Sequence, residues 1–184
     1  MTYNLHVAGL SRELTLCPLN DKLMIAGFVI FGDVELTCAC AAELNKLVPE
    51  YDYLVAPEAK SIPLAHEMAK QSGRNGYIIV RKAPKLYMRG VFEAEDNSIT
   101  TVGTQKLYMD GVDAENIRGK RVLIVDDVIS TGGSLKAVES LVNEAGGVIV
   151  GRAAILAEGE AADRGDIIYL ERLPLFDSDG NPLG

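Results

Sequence analysis

At 184 residues the chain is long enough to bury a full core as one domain, and its 48% hydrophobic and 24% charged content is ordinary for a globular protein. The net charge of −8 argues against broad electrostatic attraction to nucleic acid. No run approaches the ~18 continuous apolar residues that span a membrane, and the opening MTYNLHVAGLSREL lacks the basic start and long apolar run of a signal peptide, so a cytoplasmic protein with no membrane partner is expected.

Residues 3–31 carry β character. Residues 3–7 and 13–17 alternate, with a turn expected at 10–12 and a second at 18–21. Residues 23–31 read as another strand or extended segment. Residues 1–32 therefore form a small β-rich hood ahead of a core spanning 33–184, one domain overall. Asp33 is placed to cap a helix running to about residue 47, with Val34, Cys38, Ala41, Leu44 and Val48 on one face. Residues 53–56 are a short buried strand, 62–71 a helix and 77–80 the next strand. Residues 86–110 are less regular. Strand character appears at 98–102 and 105–109, whereas 89–97 does not look compact; an irregular segment of this length suits a lid. Residues 122–125 are an unbroken apolar, mostly β-branched run, followed by a helix over about 133–145 with Leu135, Val138, Leu141 and Val142 on its apolar face. Strands at 148–156 and 166–170 precede a polar tail. Alternation of strand and helix from residue 33 onward predicts an α/β fold, a mostly parallel central sheet flanked by helices. Cys17, Cys38 and Cys40 have no C-x-x-C spacing and are expected to be reduced thiols.

Three strand ends carry unusual chemistry. The stretch RVLIVDDVISTGGSL (121–135) places Asp126 and Asp127 after a buried strand, then turns through Ser130, Thr131, Gly132, Gly133 and Ser134 into a helix. Glycines permit close backbone approach, hydroxyls donate, and the free N–H groups of a helix start attract an anion. Lys60 lies in the Glu58-Ala59-Lys60-Ser61 loop, and Arg81, Lys82 and Lys85 follow the next strand. In a parallel sheet all three loops open on one edge. Paired carboxylates there suit sugar hydroxyls, and the cations suit a diphosphate. A receiver-type acidic pocket leaves Thr131–Ser134 unexplained, and no G-x-x-x-x-G-K-[ST] loop is present. His6 and His66 have no metal-ligand spacing.

The core VLIVDDVISTGGS resembles the phosphoribosyl-pyrophosphate (PRPP) motif of the type I phosphoribosyltransferases, and element order extends the resemblance over roughly residues 33–157. IIVRKAPKL (78–86) and the run-in from residue 108 resemble the members that use adenine. The resemblance implies transfer of the 5-phosphoribosyl group from PRPP to a purine base, with Mg²⁺ held mainly by PRPP and water rather than by protein ligands. It implies that Asp126 and Asp127 bind the ribose hydroxyls and that Ser130, Thr131, Gly132, Gly133 and Ser134 hold the 5-phosphate. Ala59, Lys60, Ser61, Arg81, Lys82 and Lys85 would then hold the pyrophosphate, with Asp126, Asp127, Lys82 and Lys85 carrying the catalysis. Phe28 and Ile129 are the candidate base contacts, and a homodimer is implied. The adenine members' Asp-Ala-Arg-Gly loop is here Glu58-Ala59-Lys60-Ser61. Their Glu-Tyr-Gly lid acid has no counterpart at residues 101–105, and their Phe-Pro-x-x-Gly hood phrase is absent from residues 1–35. Another base (hypoxanthine, xanthine, guanine or orotate) and a non-catalytic PRPP-sensing regulator are the alternatives.

Overall fold

A computed structural model describes residues 1–96 and 105–183. Its centre is a five-stranded sheet in the order β10-β9-β8-β4-β5, every pairing parallel. The strands are β4 (Tyr53–Pro57), β5 (Ile78–Val80), β8 (Arg121–Ile129), β9 (Val148–Glu158) and β10 (Ile168–Leu173). Side chains alternate across a strand, so neighbouring residues of β8 serve two different cores. Leu123 and Val125 face the layer of α1 (Val34–Leu47) and α2 (Ile62–Gln71). Val122 and Ile124 face α3 (Gly111–Ile117) and α4 (Gly133–Glu144).

Asp33 caps α1 as expected, accepting a bond from the Leu36 N–H. Ala41 and Leu44 of the expected face are buried, but Leu36, Thr37 and Cys40 complete the stripe in place of Val34 and Cys38. Val34 is exposed and Cys38 half-buried, because the helix packs against α2 as well as the sheet and turns its Cys40 side inward. In α4 the expected face, Leu135, Val138, Leu141 and Val142, is buried.

A second sheet, antiparallel throughout, runs β1 (Thr2–Val7), β2 (Leu10–Pro18), β3 (Leu23–Ala26), β11 (Leu175–Asp177), β12 (Pro182–Leu183). The first hairpin turns at Ala8 and Gly9, not at 10–12; both have left-handed φ, 51° and 76°, as a two-residue hairpin turn demands. Ala8 carries no such preference, which is why the turn was not visible. The polar tail supplies two strands of this sheet. Phe176 is 1% exposed there and meets the Tyr3 ring edge-on at 5.1 Å.

Against α4, β6 (Phe92–Asp96) pairs with β7 (Gln105–Met109) as an antiparallel ribbon, so the stretch that did not look compact is partly a strand. Arg81 bridges to Tyr108 and ties the ribbon's base to the end of β5. The strand expected at 98–102 and most of the expected acid-free lid segment (101–105) lie outside the described residues. Helix α3 was not anticipated: at seven residues it is too short to show a period, although Asp110 caps it through the Val112 N–H. No helix among the described residues is long and apolar enough to cross a membrane.

Candidate functional site

The carboxyl ends of the parallel strands and the end of β3 enclose a cavity of about 270 Å³. Its lining includes Phe28 from the hood, Glu58, Ala59, Lys60 and Ser61 after β4, Lys82 after β5, and residues 126–135. The three loops singled out in the sequence therefore do meet on one edge, as parallel topology requires.

Strand β8 does not end before the acidic pair; it continues through Asp126 and Asp127 to Ile129, paired with β9 as far as Ala157. The two carboxylates leave the strand towards opposite faces, yet both residues border the cavity at the strand's end. Asp126 Oδ1 accepts from Ser61 Oγ at 2.7 Å and from the Asp127 N–H at 2.8 Å. Burial, then the adjacent Asp127 charge, pushes the Asp126 carboxyl well above the ordinary carboxylate range. Asp127 is 4% exposed, and Lys60 Nζ sits 2.6 Å from its Oδ2. That oxygen accepts no aligned hydrogen bond among the described residues, so the contact is a charge pair and not a saturated one. Lys60 also donates to the Phe28 carbonyl at 3.3 Å, joining hood to core.

Beyond Ile129 the chain turns through Gly132, whose φ of 79° is left-handed, and enters α4. A Cβ at Gly132 would lie 3.0 Å from Arg164 Nη1. The first turn of α4 has no acidic residue and no side-chain cap, and a helix start of this kind favours an anion. Ser130, Thr131, Gly132, Gly133 and Ser134 all line the cavity.

The cations separate. Lys82 lines the cavity, whereas Arg81 and Lys85 do not. Arg81 pairs with Glu58 at 3.2 Å and donates to the Tyr87 hydroxyl at 2.8 Å. Glu58 also accepts from the Lys82 N–H at 2.9 Å. Burial pushes the Glu58 carboxyl up, but the Lys82 and Arg81 contacts outweigh it and hold the carboxyl below its ordinary value. The Glu58–Ala59 peptide is cis. Phe28 and Ile129, the candidate base contacts, are both buried and both line the cavity.

Sequence reasoning missed Glu58 as a link between two loops, Arg164 behind Gly132, and the cavity residues Ile25, Leu173 and Glu158. Glu158 was within reach, since it ends a fourth parallel strand and so belongs to the same edge. Ile25 and Leu173 required the packing of the hood.

The sequence matches the phosphoribosyl transferase domain over residues 40–173. An adenine phosphoribosyltransferase of Thermotoga petrophila is 38% identical over 107 residues, which is 58% of this chain and 59% of that protein. One of Bifidobacterium longum subsp. infantis is 33% identical over 151 residues, 79% of this chain and 75% of that protein. The chain thus spans about three-fifths of the length of relatives such as the Thermotoga protein. In fold, it superposes on the adenine phosphoribosyltransferase of Thermoanaerobacter pseudethanolicus with a TM-score of 0.70 at 24% identity, covering 87% of this chain and 95% of that one. The Giardia lamblia enzyme, complexed with 9-deazaadenine, gives 0.67 at 22% identity over 86% and 93% of the two chains. With the family match covering most of its length, the chain belongs to the phosphoribosyl transferase family.

Proposed function

We propose that this protein transfers the 5-phosphoribosyl group of PRPP to a purine base, adenine foremost, giving the nucleoside monophosphate and pyrophosphate. The observation that carries this reading is one cavity in which an uncapped helix start, a carboxylate pair and two lysines, Lys60 and Lys82, face a common space. The names of the relatives support the choice of adenine.

In this reading the loop 130–134 and the first turn of α4 hold the 5-phosphate. Asp126 and Asp127 accept from the ribose hydroxyls, which matches their acceptor-only chemistry when ionised. Lys60 exchanges Asp127 Oδ2 for pyrophosphate oxygens, joined by Lys82 and the peptides of Ala59 and Ser61. Arg81 and Lys85 lie outside the cavity, so their expected pyrophosphate contacts need the segment after β5 to close over the leaving group. A ring nitrogen of the base forms a bond to C1 while the C1–oxygen bond to pyrophosphate breaks and its electron pair leaves with the pyrophosphate. The transition state has oxocarbenium character by analogy with glycoside cleavage. Lysine and N–H donors stabilise the departing charge, and closure excludes water.

Among the described residues no group of three or more His, Cys, Asp or Glu side chains converges as a metal cage. Asp126 and Asp127 offer only a pair of carboxylates, a donor set that fits Mg²⁺ held chiefly by substrate oxygens and water. Such an ion supplies further neutralisation of the pyrophosphate. Val29, Phe31 and Val34 are exposed and close together in the chain, apolar side chains that a homodimer would cover. The reading implies a cytoplasmic enzyme of nucleotide salvage.

Incubation with PRPP, Mg²⁺ and adenine, hypoxanthine, guanine, xanthine or orotate tests the activity. AMP from adenine is expected. PRPP binding with no nucleotide from any base would make the protein a PRPP sensor instead.

A further inference from the structure

Glu158 closes β9 and is 8% exposed, with its side chain lining the cavity. It stands where it would cap the short helix Gly159–Asp163, yet its side chain makes no capping bond. Among the described residues its carboxylate has neither a hydrogen bond nor an ion pair. Its oxygens are open to the cavity, so a ligand there can supply the donor that the described protein groups do not.

Its surroundings say what kind of donor is missing. Leu173 lies opposite Glu158 in the β9–β10 register, and Ile129 pairs with the preceding residue, Ala157. Both line the cavity, as do Ile25 and Phe28 of the hood. Glu158 is thus a strong acceptor in a cavity whose lining also includes these four apolar side chains. Burial raises the Glu158 carboxyl above its ordinary value and Lys60 opposes the rise, so the two groups feel each other across the site. A phosphate would be repelled here. A flat, neutral heterocycle carrying an N–H donor fits.

We propose that Glu158 determines base specificity by accepting a hydrogen bond from an exocyclic amino group of the purine. The inference rests on the phosphoribosyltransferase reading above. An aminopurine meets the carboxylate with a proton. An oxopurine presents a carbonyl, sets two acceptors against each other and leaves the buried carboxylate unpaired, the situation in which sites discriminate most strongly. A hydrogen bond to a charged group corresponds to about ten- to a hundredfold in affinity.

The test is calorimetric binding of AMP and of IMP to the parent protein and to Glu158→Gln, with PRPP binding measured alongside. The parent should prefer AMP by about tenfold or more. In Glu158→Gln the amide presents either its oxygen or its NH₂, so IMP should gain, AMP should weaken, and the preference should collapse with PRPP affinity unchanged. Glu158→Leu, similar in bulk but with no polar group, should weaken AMP without any gain for IMP. An AMP:IMP ratio unchanged in Glu158→Gln, or a loss confined to PRPP, would overturn the role. Binding is read without turnover, so an inactive protein that still discriminates AMP from IMP through Glu158 would sink the enzymatic reading and leave this one standing.

Discussion

Ser61 donates its hydroxyl to Asp126 Oδ1 at 2.7 Å, linking the loop after β4 to the end of β8 across 65 positions of chain. Ser61 is 1% exposed, so the bond is made away from water. It holds one carboxylate of the acidic pair in place before any ligand arrives, the preorganisation a binding site needs. Ser61→Ala removes a bond to a charged group and should cost about 1.5–3 kcal/mol in urea unfolding. It should also weaken PRPP binding, because Asp126 is then held by the Asp127 N–H alone. Equal stability and equal affinity would mean that the backbone bond suffices.

Asp126 carries a stability cost that depends on pH. Its carboxyl is raised above the ordinary 3.8 by burial and by Asp127, so the folded protein holds this proton more tightly than the unfolded chain does. The group therefore favours folding least once it is ionised. The penalty is absent below the ordinary carboxylate value, grows as pH rises through the window above it, and is complete beyond the raised value. Asp126→Asn keeps an oxygen for Ser61 and removes the ionisation. Its melting temperature should exceed the parent's at neutral pH and converge with it in acid, while PRPP binding is lost. A variant less stable than the parent at neutral pH would contradict the sign.

Gly132 is needed for two separable reasons. Its φ of 79° is strained for any residue with a side chain, and a Cβ would press on Arg164 Nη1 at 3.0 Å. Gly132→Ala should destabilise the fold by about 1–3 kcal/mol and lower PRPP affinity by about tenfold, since the loop can no longer present its N–H groups together. Adding Arg164→Ala should relieve the contact but not the dihedral, and recover only part of the loss. Full recovery by the double variant would show that the clash alone matters.

Phe176 anchors the hood from the far end of the chain. It is fully enclosed, packs on Tyr3 and pairs with Met24 of β3, the strand that leads into the cavity wall. Phe176→Ala should cost about 3–5 kcal/mol. A loosened hood should weaken base or AMP binding more than PRPP binding, since the phosphate loop belongs to the other sheet. Isothermal titration with each ligand separates the two effects, and equal losses would argue against an independent hood.

The sugar-phosphate half of the site was legible because its determinants are contiguous. An apolar run, an acidic pair and a small-residue turn read as strand, carboxylates and anion cradle from local chemistry alone, and Asp126 to Ser134 line the cavity together. Strand–helix alternation likewise implied the parallel sheet, and the rule for strand ends brought Lys60 and Lys82 to the same edge. Local signals were too weak for α3, which is short, and for the turn at Ala8-Gly9, where an unfavoured residue takes a left-handed φ.

What only the tertiary structure decided is the other half. Which cations face the cavity depends on partners distant in sequence: Glu58 holds Arg81 aside, while Asp127 draws Lys60 in. The hood is completed by residues 175–183, whose polar composition shows no strand period but whose Phe176 fills the space beside Tyr3. Glu158 looks from the sequence like any acid at the end of a strand. Its burial beside Leu173 at the cavity wall is a property of packing, and packing alone makes it an acceptor facing a ligand.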